Sequence, residues 1–228
     1  SDNTAFYAIM TPINFNIDNT VLPSNQCFED LRILATNVDP LEASYLAYAK
    51  ALVYWNEKSK FCGTCGSSTF PQKNGHERVC SRDICRQVHF PRTDPAVIML
   101  VTHPTDQKCL LGRNRKFKGL RFSTLAGFVE PGETLEQAVI REVFEETGVL
   151  VSKAEYRGSQ PWPFPASIML GFRAAADSEE IKCDEDELIE ARWFTREETI
   201  ALSKREDGLP PTNYSISRWL IDTWLNET

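Results

Sequence analysis

A glutamate-rich segment with clear helix boundaries, Gly127–Val149, constrains the fold more than any other part of the sequence. Thr134 and Gln137 have the residue types and spacing of a capping box, in which two side chains satisfy free amides at the start of a helix. Gly148 is the residue type that most often ends a helix in the left-handed conformation. The segment therefore predicts a helix over about 135–147, flanked by loops.

Three glutamates of this helix, Glu142, Glu145 and Glu146, share one face, while Val139 and Val143 can face the core. Like charges at this spacing cost roughly 0.2–0.5 kcal/mol per pair, and carboxylates in the last turn oppose the helix dipole. Bound Mg²⁺ or Mn²⁺, completed by water and a substrate phosphate, would remove this cost and create a site for phosphoryl transfer. The alternative is a solvated acidic face.

Four of the seven cysteines lie near one another in the chain, namely Cys62, Cys65, Cys80 and Cys85. Two pairs of thiolates at this spacing suit a closed tetrahedral zinc site, whose complete ligand shell leaves no position for a reacting water. We therefore expect the zinc to stabilise the fold and to do no chemistry. Four unconnected thiols and a zinc ribbon that reads nucleic acid are the alternatives. His76 and His89 flank the cysteines, and we expect them beside the ligands or at the surface.

The composition restricts the class of protein. A chain of 228 residues with 42% hydrophobic residues can bury one substantial core with smaller attachments. A net charge of −7 argues against a general nucleic-acid binder, which would carry a basic excess over one face. Neither a membrane span nor a signal peptide is visible in the sequence. These features predict an intracellular, cytoplasmic protein without membrane contact, while a peroxisomal or other organellar location and a missing upstream segment stay open.

The sequence predicts three successive parts. Residues 1–58 form an N-terminal segment, or the remainder of a longer domain, with a helix at about 41–57 that begins after Asp39-Pro40. Residues 59–92 contain the cysteine motif, and residues 93–228 form the main domain. The core-facing positions predicted for the helix are Leu41, Tyr45, Leu52 and Trp55.

The main domain is predicted to be a mixed sheet flanked by helices. The continuous apolar run Ala96–Val101 is typical of a strand that is buried on both faces. Thr195–Glu198 has the pattern of a second capping box, and 215–225 is typical of a terminal amphipathic helix. Further strands are predicted at 108–113, 122–125, 151–157, 167–175 and 191–194.

The segment Ser159–Ser167 alternates proline with aromatic residues. Proline holds the backbone extended but removes the amide donors that a central strand needs, so we expect a rigid loop beside the acidic site. Trp162 and Phe164 can stack on a planar base, and Gln160 and Ser167 can donate or accept hydrogen bonds. A surface turn or packing element is the alternative.

The pattern Gly-x5-Glu-x7-Arg-Glu-Val-x-Glu-Glu-x-Gly-Val at 127–149 resembles the Nudix box at every defined position. The resemblance implies an α/β protein with the Nudix α/β/α sandwich and its mixed sheet, preceded here by the small zinc-ribbon motif and the N-terminal segment. The domain at 93–228 would then be a Nudix hydrolase domain. Members of the superfamily hydrolyse a nucleoside diphosphate that is linked to another group.

The same resemblance implies roles for single residues of the box. Glu142 and Glu146 would be the principal metal ligands, and Glu145 a further ligand or a positioning group. Arg141 would orient these carboxylates, although an ordinary surface pair with Glu145 could coexist with that role. Glu133 would support the site, although its position alone is also explained by the positive N-terminus of the helix.

Ser-Gln-Pro-Trp-Pro-Phe-Pro-x-Ser at 159–167 is similar to the motif of the NADH pyrophosphatase (NudC-type) subfamily, which also carries four zinc-binding cysteines before the Nudix domain. The resemblance therefore covers roughly residues 50–225. The substrate-binding residues that it implies in this segment are Gln160, Pro161, Trp162, Pro163, Phe164, Pro165, Ala166 and Ser167.

Four more positions are implied by resemblance to the subfamily. The carbonyl of Ala126 would bind metal, and Glu187, favoured over Glu190, would return another carboxylate to it. A solvated acidic turn is the alternative for Glu187. Phe90, where many relatives have tyrosine, would help to enclose the nucleotide, and Ser217 would lie near it.

These motifs together imply metal-dependent attack of water on the pyrophosphate of NADH or NAD⁺, giving AMP and NMNH or NMN. Removal of NAD caps from RNA and assembly as a homodimer are further implications. A run of basic residues before the box would be either a solvated loop or a local funnel for phosphates and RNA, and its members are Arg113, Arg115, Lys116, Lys118 and Arg121. The alternatives are hydrolysis of ADP-ribose or a dinucleoside polyphosphate, or a non-catalytic nucleotide-binding module.

Overall fold

The structure is a computed structural model that describes residues 7–9, 11, 15–16, 22–115, 119, 121–184, 186–210 and 215–227. They fall into two compact units, Ser1–Thr93 with Trp162–Ala166, and Asp94–Pro161 with Ser167–Thr228. In chain order the elements are α1 (Leu31–Leu34), α2 (Pro40–Lys58), β1 (Thr69–Gln72), a 3-10 turn (Lys73–Gly75), β2 (Glu77–Cys80), β3 (Val88–His89), β4 (Asp94–Thr102), β5 (Lys108–Asn114), β6 (Leu125–Phe128), α3 (Leu135–Thr147), β7 (Val151–Trp162), β8 (Ser167–Ala176), β9 (Leu188–Thr195), α4 (Arg196–Ser203) and α5 (Ile216–Asn226).

The long helix of the first unit begins where the sequence predicted. The Asp39 side chain accepts a hydrogen bond from the Leu41 amide at 2.9 Å, and Pro40 is the first helical residue. The predicted core face is wrong for Leu41 and Tyr45, which are 59% and 43% exposed, whereas Trp55 is buried. The C-terminal end of α2 is the part held in place, because Asn56 donates to the Gly75 carbonyl at 2.8 Å.

The cysteine region contains regular structure that the sequence did not predict. Strands β1, β2 and β3 form an antiparallel sheet, in which Thr69 faces Cys80 and Arg78 faces His89. The strands are two to four residues long, too short to show the alternation that marks a strand in sequence. Arg78 is buried and donates to the Thr69 hydroxyl and carbonyl, both at 2.8 Å.

The second unit contains the predicted mixed sheet. Its strand order is β7-β8-β4-β5-β9, and β6 pairs with β4. Strand β4 runs parallel to β8 and antiparallel to β5 and β6. Since β4 lies inside this sheet, its apolar run is buried on both faces as predicted, and Val97, Met99, Leu100 and Val101 are each 0% exposed.

Helices cover both faces of this sheet. Met99 of β4 belongs to one apolar cluster with Val139 and Val143 of α3, and Leu100 belongs to the opposite cluster with Leu220 of α5. The odd and even side chains of one strand thus enter different cores. This arrangement confirms the predicted α/β/α sandwich and places the glutamate-bearing helix on one side of the sheet. Among the described residues, no helix combines the length and apolar composition that crossing a bilayer requires.

Two strand boundaries differ from prediction. The strand expected at 122–125 lies instead at Leu125–Phe128, where it pairs with β4. Strand β7 continues to Trp162, so the first half of the proline-aromatic segment is strand and not loop. Because β7 is the edge strand of the sheet, Pro161 has one side on which a missing amide donor is tolerated.

Candidate active site and zinc site

Local sequence fixes both ends of helix α3. The Thr134 hydroxyl accepts from the Gln137 amide at 3.2 Å, and the Gln137 side chain accepts from the Thr134 amide at 2.8 Å. Gly148 ends the helix with φ of 69°, a conformation that favours glycine. The predicted boundaries of α3 are therefore confirmed, and so is the spacing of the glutamates on it.

Two of the three glutamates on the acidic face are shielded from solvent. Glu142 and Glu146 are 9% and 4% exposed, whereas the Glu145 side chain is 57% exposed. Burial of ionised carboxylates is costly unless positive charge or hydrogen bonds compensate it. The solvated-face interpretation therefore fails for Glu142 and Glu146 and holds only for Glu145.

Arg141 connects the carboxylates around the helix. Its guanidinium donates two hydrogen bonds to Glu133, at 2.6 and 2.9 Å, which is a bidentate pair. A further nitrogen donates to Glu142 at 2.8 Å and to Glu145 at 2.9 Å, and the Phe128 carbonyl accepts at 2.9 Å. The surface ion pair between Arg141 and Glu145 thus coexists with the hydrogen bonds from Arg141 to Glu133 and Glu142.

Glu133 is held by more than the helix dipole. The hydrogen bond from Arg141, followed by that from the Glu130 amide, lowers the pKa of Glu133 to about 2. The carboxylate therefore stays ionised at neutral pH and fixes Arg141 in place.

The positive charge around Glu142 and Glu146 is too small to compensate the burial of two ionised carboxylates. Burial, followed by the charges of Glu142 and Glu187, raises the pKa of Glu146 to about 8. Burial also raises the pKa of Glu142, although Arg141 opposes the shift. A site with these properties attracts either protons or a cation.

Glu187 and Glu190 have different surroundings. The charge of Glu187 helps to raise the pKa of both Glu142 and Glu146. The Glu190 carboxylate instead lies 3.6 Å from an Arg113 nitrogen on the neighbouring strand. Of the two candidates, Glu187 is thus the one whose charge acts on the buried pair, whereas Glu190 has a separate partner.

Sequence reasoning missed the tether that positions Glu187. The amide of Lys182 donates to the Thr147 carbonyl at 2.7 Å, and the amide of Asp184 donates to the Glu146 carbonyl at 3.0 Å. The Asp184 side chain then accepts from the Asp186 amide at 2.9 Å, which shapes the turn. The segment after β8 therefore covers the free carbonyls at the end of α3.

The strand residue Gly127 leaves space for the Glu142 carboxylate. A Cβ atom built on Gly127 would lie 1.8 Å from Cδ of Glu142, far inside contact distance. The preceding residue, Ala126, forms a backbone hydrogen bond with Glu146 that lowers its pKa and partly offsets burial. Carboxylate oxygens are among the ligands that Mg²⁺ and Mn²⁺ prefer, so Glu142 and Glu146 have the ligand chemistry that suits such an ion.

Two residues assigned to substrate have partners within the second unit. The Gln160 side-chain oxygen accepts from the Ile216 amide at 3.0 Å and so caps α5. Ser217 is 4% exposed, and its hydroxyl oxygen accepts from the Thr124 amide and hydroxyl at 3.2 and 2.8 Å. Pro161 is exposed, and Ser167 begins β8 opposite Asp94.

The rest of the proline-aromatic segment belongs to the first unit. The rings of Trp162 and Phe164 meet edge to face, with centroids 5.2 Å apart. Pro163 is buried, Pro165 is exposed and Ala166 is half-buried. Phe90, in the same unit, is 68% exposed.

The basic run is only partly described. Arg113 pairs with Glu190, and the Arg115 amide donates to the Glu187 carbonyl at 3.3 Å. Arg121 is half-buried. Lys116 and Lys118 lie outside the described residues, so the funnel hypothesis stays a prediction.

The four cysteine sulfurs form one cluster, in which all lie within 4.8 Å of one another. The Cys65–Cys80 and Cys62–Cys85 sulfur distances are 3.5 and 3.9 Å. Four zinc–sulfur bonds of about 2.3 Å in a tetrahedron place sulfurs about 3.8 Å apart, so the cluster fits zinc. His89 lies beside a ligand, with Nε2 3.3 Å from the Cys62 sulfur, as predicted. His76 is at the surface.

We expect Cys80→Ser to remove the zinc and to destabilise the first unit, because closed zinc sites contribute folding free energy directly. Zinc content measured by mass spectrometry should fall from about one ion per chain to near zero, and the melting temperature should fall with it. Cys27→Ser, at an exposed cysteine outside the cluster, is the matched control and should retain zinc. Full zinc content in the Cys80 variant would contradict the site.

A mixed sheet with helices on both faces, one of which bears buried carboxylates, defines the chain's second unit as an α/β/α sandwich with an acidic site. Residues 92–220, more than half of the chain, match the family described as NUDIX domain. The chain belongs to the Nudix family, as the resemblance of residues 127–149 indicated. Residues 57–90 match the family described as NADH pyrophosphatase zinc ribbon domain, which identifies the cysteine region as a zinc ribbon.

Known proteins are similar to this chain over most of its length. The human NAD-capped RNA hydrolase NUDT12 is 44% identical over 193 residues, which are 81% of this chain and 42% of that protein. The Pseudomonas aeruginosa NAD-capped RNA hydrolase NudC is 46% identical over 182 residues, which are 79% of this chain and 60% of that protein. The chain spans 42–64% of the length of the first curated relatives it matches.

A solved structure supports the fold alone. The crystal structure of a NUDIX hydrolase from Nitrosomonas europaea has a TM-score of 0.56 and 21% sequence identity to this chain. The match covers 74% of this chain and 91% of that one.

Proposed function

We propose that the chain hydrolyses the pyrophosphate of NADH and NAD⁺, giving AMP with NMNH or NMN, and that it also removes NAD caps from RNA. The observation that carries the reaction is the buried pair Glu142 and Glu146, of which Glu142 accepts a hydrogen bond from Arg141 and lies against Gly127. The substrate is supported by the motif at 159–167, by the zinc-ribbon match and by relatives named as NAD-capped RNA hydrolases.

Glu142, Glu146, Glu187 and the Ala126 carbonyl are the residues that would hold Mg²⁺ or Mn²⁺. Such ions offset phosphate charge and lower the pKa of a water molecule. The water oxygen forms a bond to one phosphorus as the bond between that phosphorus and the bridging oxygen breaks, and the bridging oxygen leaves with the other phosphate. Glu146 accepts the proton of the water, and the leaving phosphate becomes a mononucleotide.

Arg141 keeps the reacting carboxylates in position without touching the substrate in this scheme. Glu133 holds the guanidinium by two hydrogen bonds, and the guanidinium holds Glu142. Because Glu133 and Arg141 form a bidentate pair, the orientation of Glu142 is fixed before substrate arrives. Glu145, exposed at the edge of this hydrogen-bond network, would be a further metal ligand or would help to position the other carboxylates.

We expect Mn²⁺ to raise the melting temperature more at pH 8 than at pH 6. The pKa of Glu146, raised to about 8, means that the folded state binds a proton more tightly than the unfolded state. Without metal, the free energy of unfolding therefore decreases as pH rises from about 4.5 to 8, and a bound cation removes this loss. Below pH 8 the proton competes with the metal.

Differential scanning fluorimetry with and without Mn²⁺ would measure this shift, which should be about 2–4 °C for each kcal/mol of binding free energy. Glu146→Gln should abolish the shift at both pH values, whereas Glu136→Gln, at an exposed position on the same helix, should retain it. An equal shift in the Glu146 variant would place the metal elsewhere.

The substrate is tested by a panel. Purified protein with Mg²⁺ or Mn²⁺ would be incubated with NADH, NAD⁺, ADP-ribose, a dinucleoside polyphosphate and a short NAD-capped RNA, and products identified by chromatography. The proposal expects AMP with NMNH or NMN from the dinucleotides and a 5′-monophosphate RNA from the capped substrate. Preferential cleavage of ADP-ribose would show that ADP-ribose, and not NADH or NAD⁺, is the substrate. Binding of dinucleotides without turnover would favour a non-catalytic nucleotide-binding module.

We also propose a homodimer, with the exposed apolar side chains of α2 as part of its interface. Tyr48 is 57% exposed and Leu46 is 37% exposed, beside the exposed Leu41 and Tyr45. Burying apolar surface of this kind favours association. Sedimentation equilibrium should show a dimer that Tyr48→Glu weakens, and a monomer at all concentrations would overturn the assignment.

A further inference from the structure

His89 is the histidine of the zinc ribbon whose ring contacts a ligand sulfur. The ring is half-buried, and its Nε2 lies 3.3 Å from the Cys62 sulfur, although the two residues are 27 positions apart in the chain. A zinc-bound cysteine is a thiolate and has no hydrogen of its own. The hydrogen between these two atoms therefore belongs to the ring, and Nε2–H donates to the sulfur.

The charge of the zinc site favours this hydrogen bond. Four thiolates carry four negative charges against the two positive charges of Zn²⁺, so a donor to any of them is charge-assisted. The Thr64 amide, 3.4 Å from the Cys62 sulfur, is a second donor to the same atom. Of these two donors, His89 is the one that a side-chain substitution can remove.

The place of His89 in the ribbon is set by strand β3. This strand is two residues long, and in it His89 pairs with Arg78 of β2. Arg78 is itself fixed, because it is buried and donates to the Asn56 side-chain oxygen at 3.0 Å. Two residues give a strand little stability of their own. The contact with Cys62 therefore adds a second attachment at the end of β3.

Phe90 follows His89 directly and is 68% exposed. It is the residue that the subfamily resemblance places against the nucleotide. Because consecutive Cα atoms are held about 3.8 Å apart, a displacement of His89 moves Phe90 with it. The zinc ligand Cys62, the histidine and the expected nucleotide contact thus form one connected series within the first unit.

We propose that His89 is a positioning residue that retains zinc through Cys62 and holds Phe90 in place for the nucleotide. His89 contacts neither the substrate nor the catalytic metal in this scheme. Its effect on Phe90 rests on the proposed function, because it supports a substrate contact of the same hydrolase. Its hydrogen bond to the zinc-bound sulfur does not depend on that function.

The rate of zinc release tests the hydrogen bond. His89→Phe keeps a ring but removes the donor, and transfer of zinc from the purified variant to an excess of a chromogenic chelator should be about 10–100-fold faster than from the wild type. His89→Gln, whose amide can donate to the same sulfur, should stay within about threefold of the wild type. His76→Phe makes the same change at an exposed histidine and is the matched control.

A release rate in His89→Phe equal to that in His76→Phe would overturn the hydrogen bond. Equally fast release from His89→Gln would also overturn it, because the packing of the ring, and not its donor, would then retain the zinc. Zinc content and thermal unfolding of each preparation show whether the variant is folded and loaded at the start.

A double-mutant cycle with Phe90→Ala tests the connection to the nucleotide. With NADH as substrate, His89→Phe should raise KM about fivefold and change kcat less than about twofold, because Phe90 contacts the nucleotide and not the reacting groups. In the Phe90→Ala background the same substitution should change KM by less than about twofold. Additive increases in KM, or an unchanged KM in the single variant, would overturn the connection.

Failure of the proposed function gives a different result. A wild-type chain that cleaves no dinucleotide would reject the hydrolase, whereas the zinc-release rates would still decide the hydrogen bond. Calorimetric titration with AMP would then replace KM in the same double-mutant cycle. Equal AMP affinity in the wild type and in His89→Phe would overturn the connection to Phe90, and a loss of affinity that disappears in the Phe90→Ala background would support it.

Discussion

Replacing Glu142 with glutamine is expected to lower kcat for NADH by about three orders of magnitude while leaving the fold intact. The amide has the shape of the carboxylate, but it loses the negative charge that holds a cation. A metal supplies several kcal/mol of transition-state stabilisation, and each 1.4 kcal/mol is a factor of ten in rate. The fold should survive because Arg141 keeps its two hydrogen bonds to Glu133, and because one of two repelling buried charges is removed.

Steady-state kinetics and thermal unfolding of the same preparation measure both parts of this prediction. Glu136→Gln is the matched control, since it makes the same chemical change in the first turn of α3 at an exposed position. Its turnover should stay within about twofold of the wild type, in line with small effects of surface substitutions. A well-folded Glu142 variant with near wild-type turnover would reject the assignment of the active site.

The second large effect is expected from Gly127→Ala, a substitution outside the helix. The added methyl group would lie 1.8 Å from Cδ of Glu142 and 2.0 Å from each of its oxygens, so the carboxylate must move. Displacement breaks its hydrogen bond from Arg141 and removes the geometry that metal binding needs. We expect kcat to fall about 100-fold and the free energy of unfolding to fall by about 1–3 kcal/mol, as for other overpacked sites.

A double-mutant cycle separates the steric cause from a general effect of alanine. In the Glu142→Ala background the space is free, so Gly127→Ala should then cost little stability, and the coupling energy should equal most of the single-variant loss. Gly158→Ala is a matched control, because its new methyl group would lie 3.5 Å from Trp219, an ordinary contact. Additive losses in the cycle would mean that Gly127 has some other role.

Helix α3 and strand β4 could be predicted from the sequence because their signals are local. The capping residues Thr134 and Gly148 adjoin the ends of α3, and the run Ala96–Val101 reports burial on both faces of β4. Periodicity also predicted a mixed sheet flanked by helices, since each face of the sheet needs an apolar layer, and the family resemblance implied the sandwich. The reaction was predicted from the family resemblance, which depends on the order of the glutamates in the sequence. Their burial could not be predicted from that order.

Other features depended on contacts between distant residues and had no local signal. Nothing adjacent to Gln160 indicates that its side chain caps α5, because its partner, Ile216, lies far along the chain. The exposure of Leu41 and Tyr45 was likewise invisible, since an apolar residue in a helix looks the same in sequence whether it is covered or not. The hydrogen bond from the Asp184 amide to the Glu146 carbonyl had no signal in the sequence either, because both groups belong to the backbone.

That tether has a consequence for how the protein tolerates change. Lys182 and Asp184 hold the end of α3 through their main-chain amides, at 2.7 and 3.0 Å, so these two bonds do not depend on side-chain identity. What they require is the number of residues between β8 and Glu187. Substitution of Lys182 by any residue except proline should therefore be nearly neutral, whereas deletion of a single residue from this connection would displace Glu187 relative to the buried pair. The length of this connection, more than its composition, therefore decides where Glu187 lies.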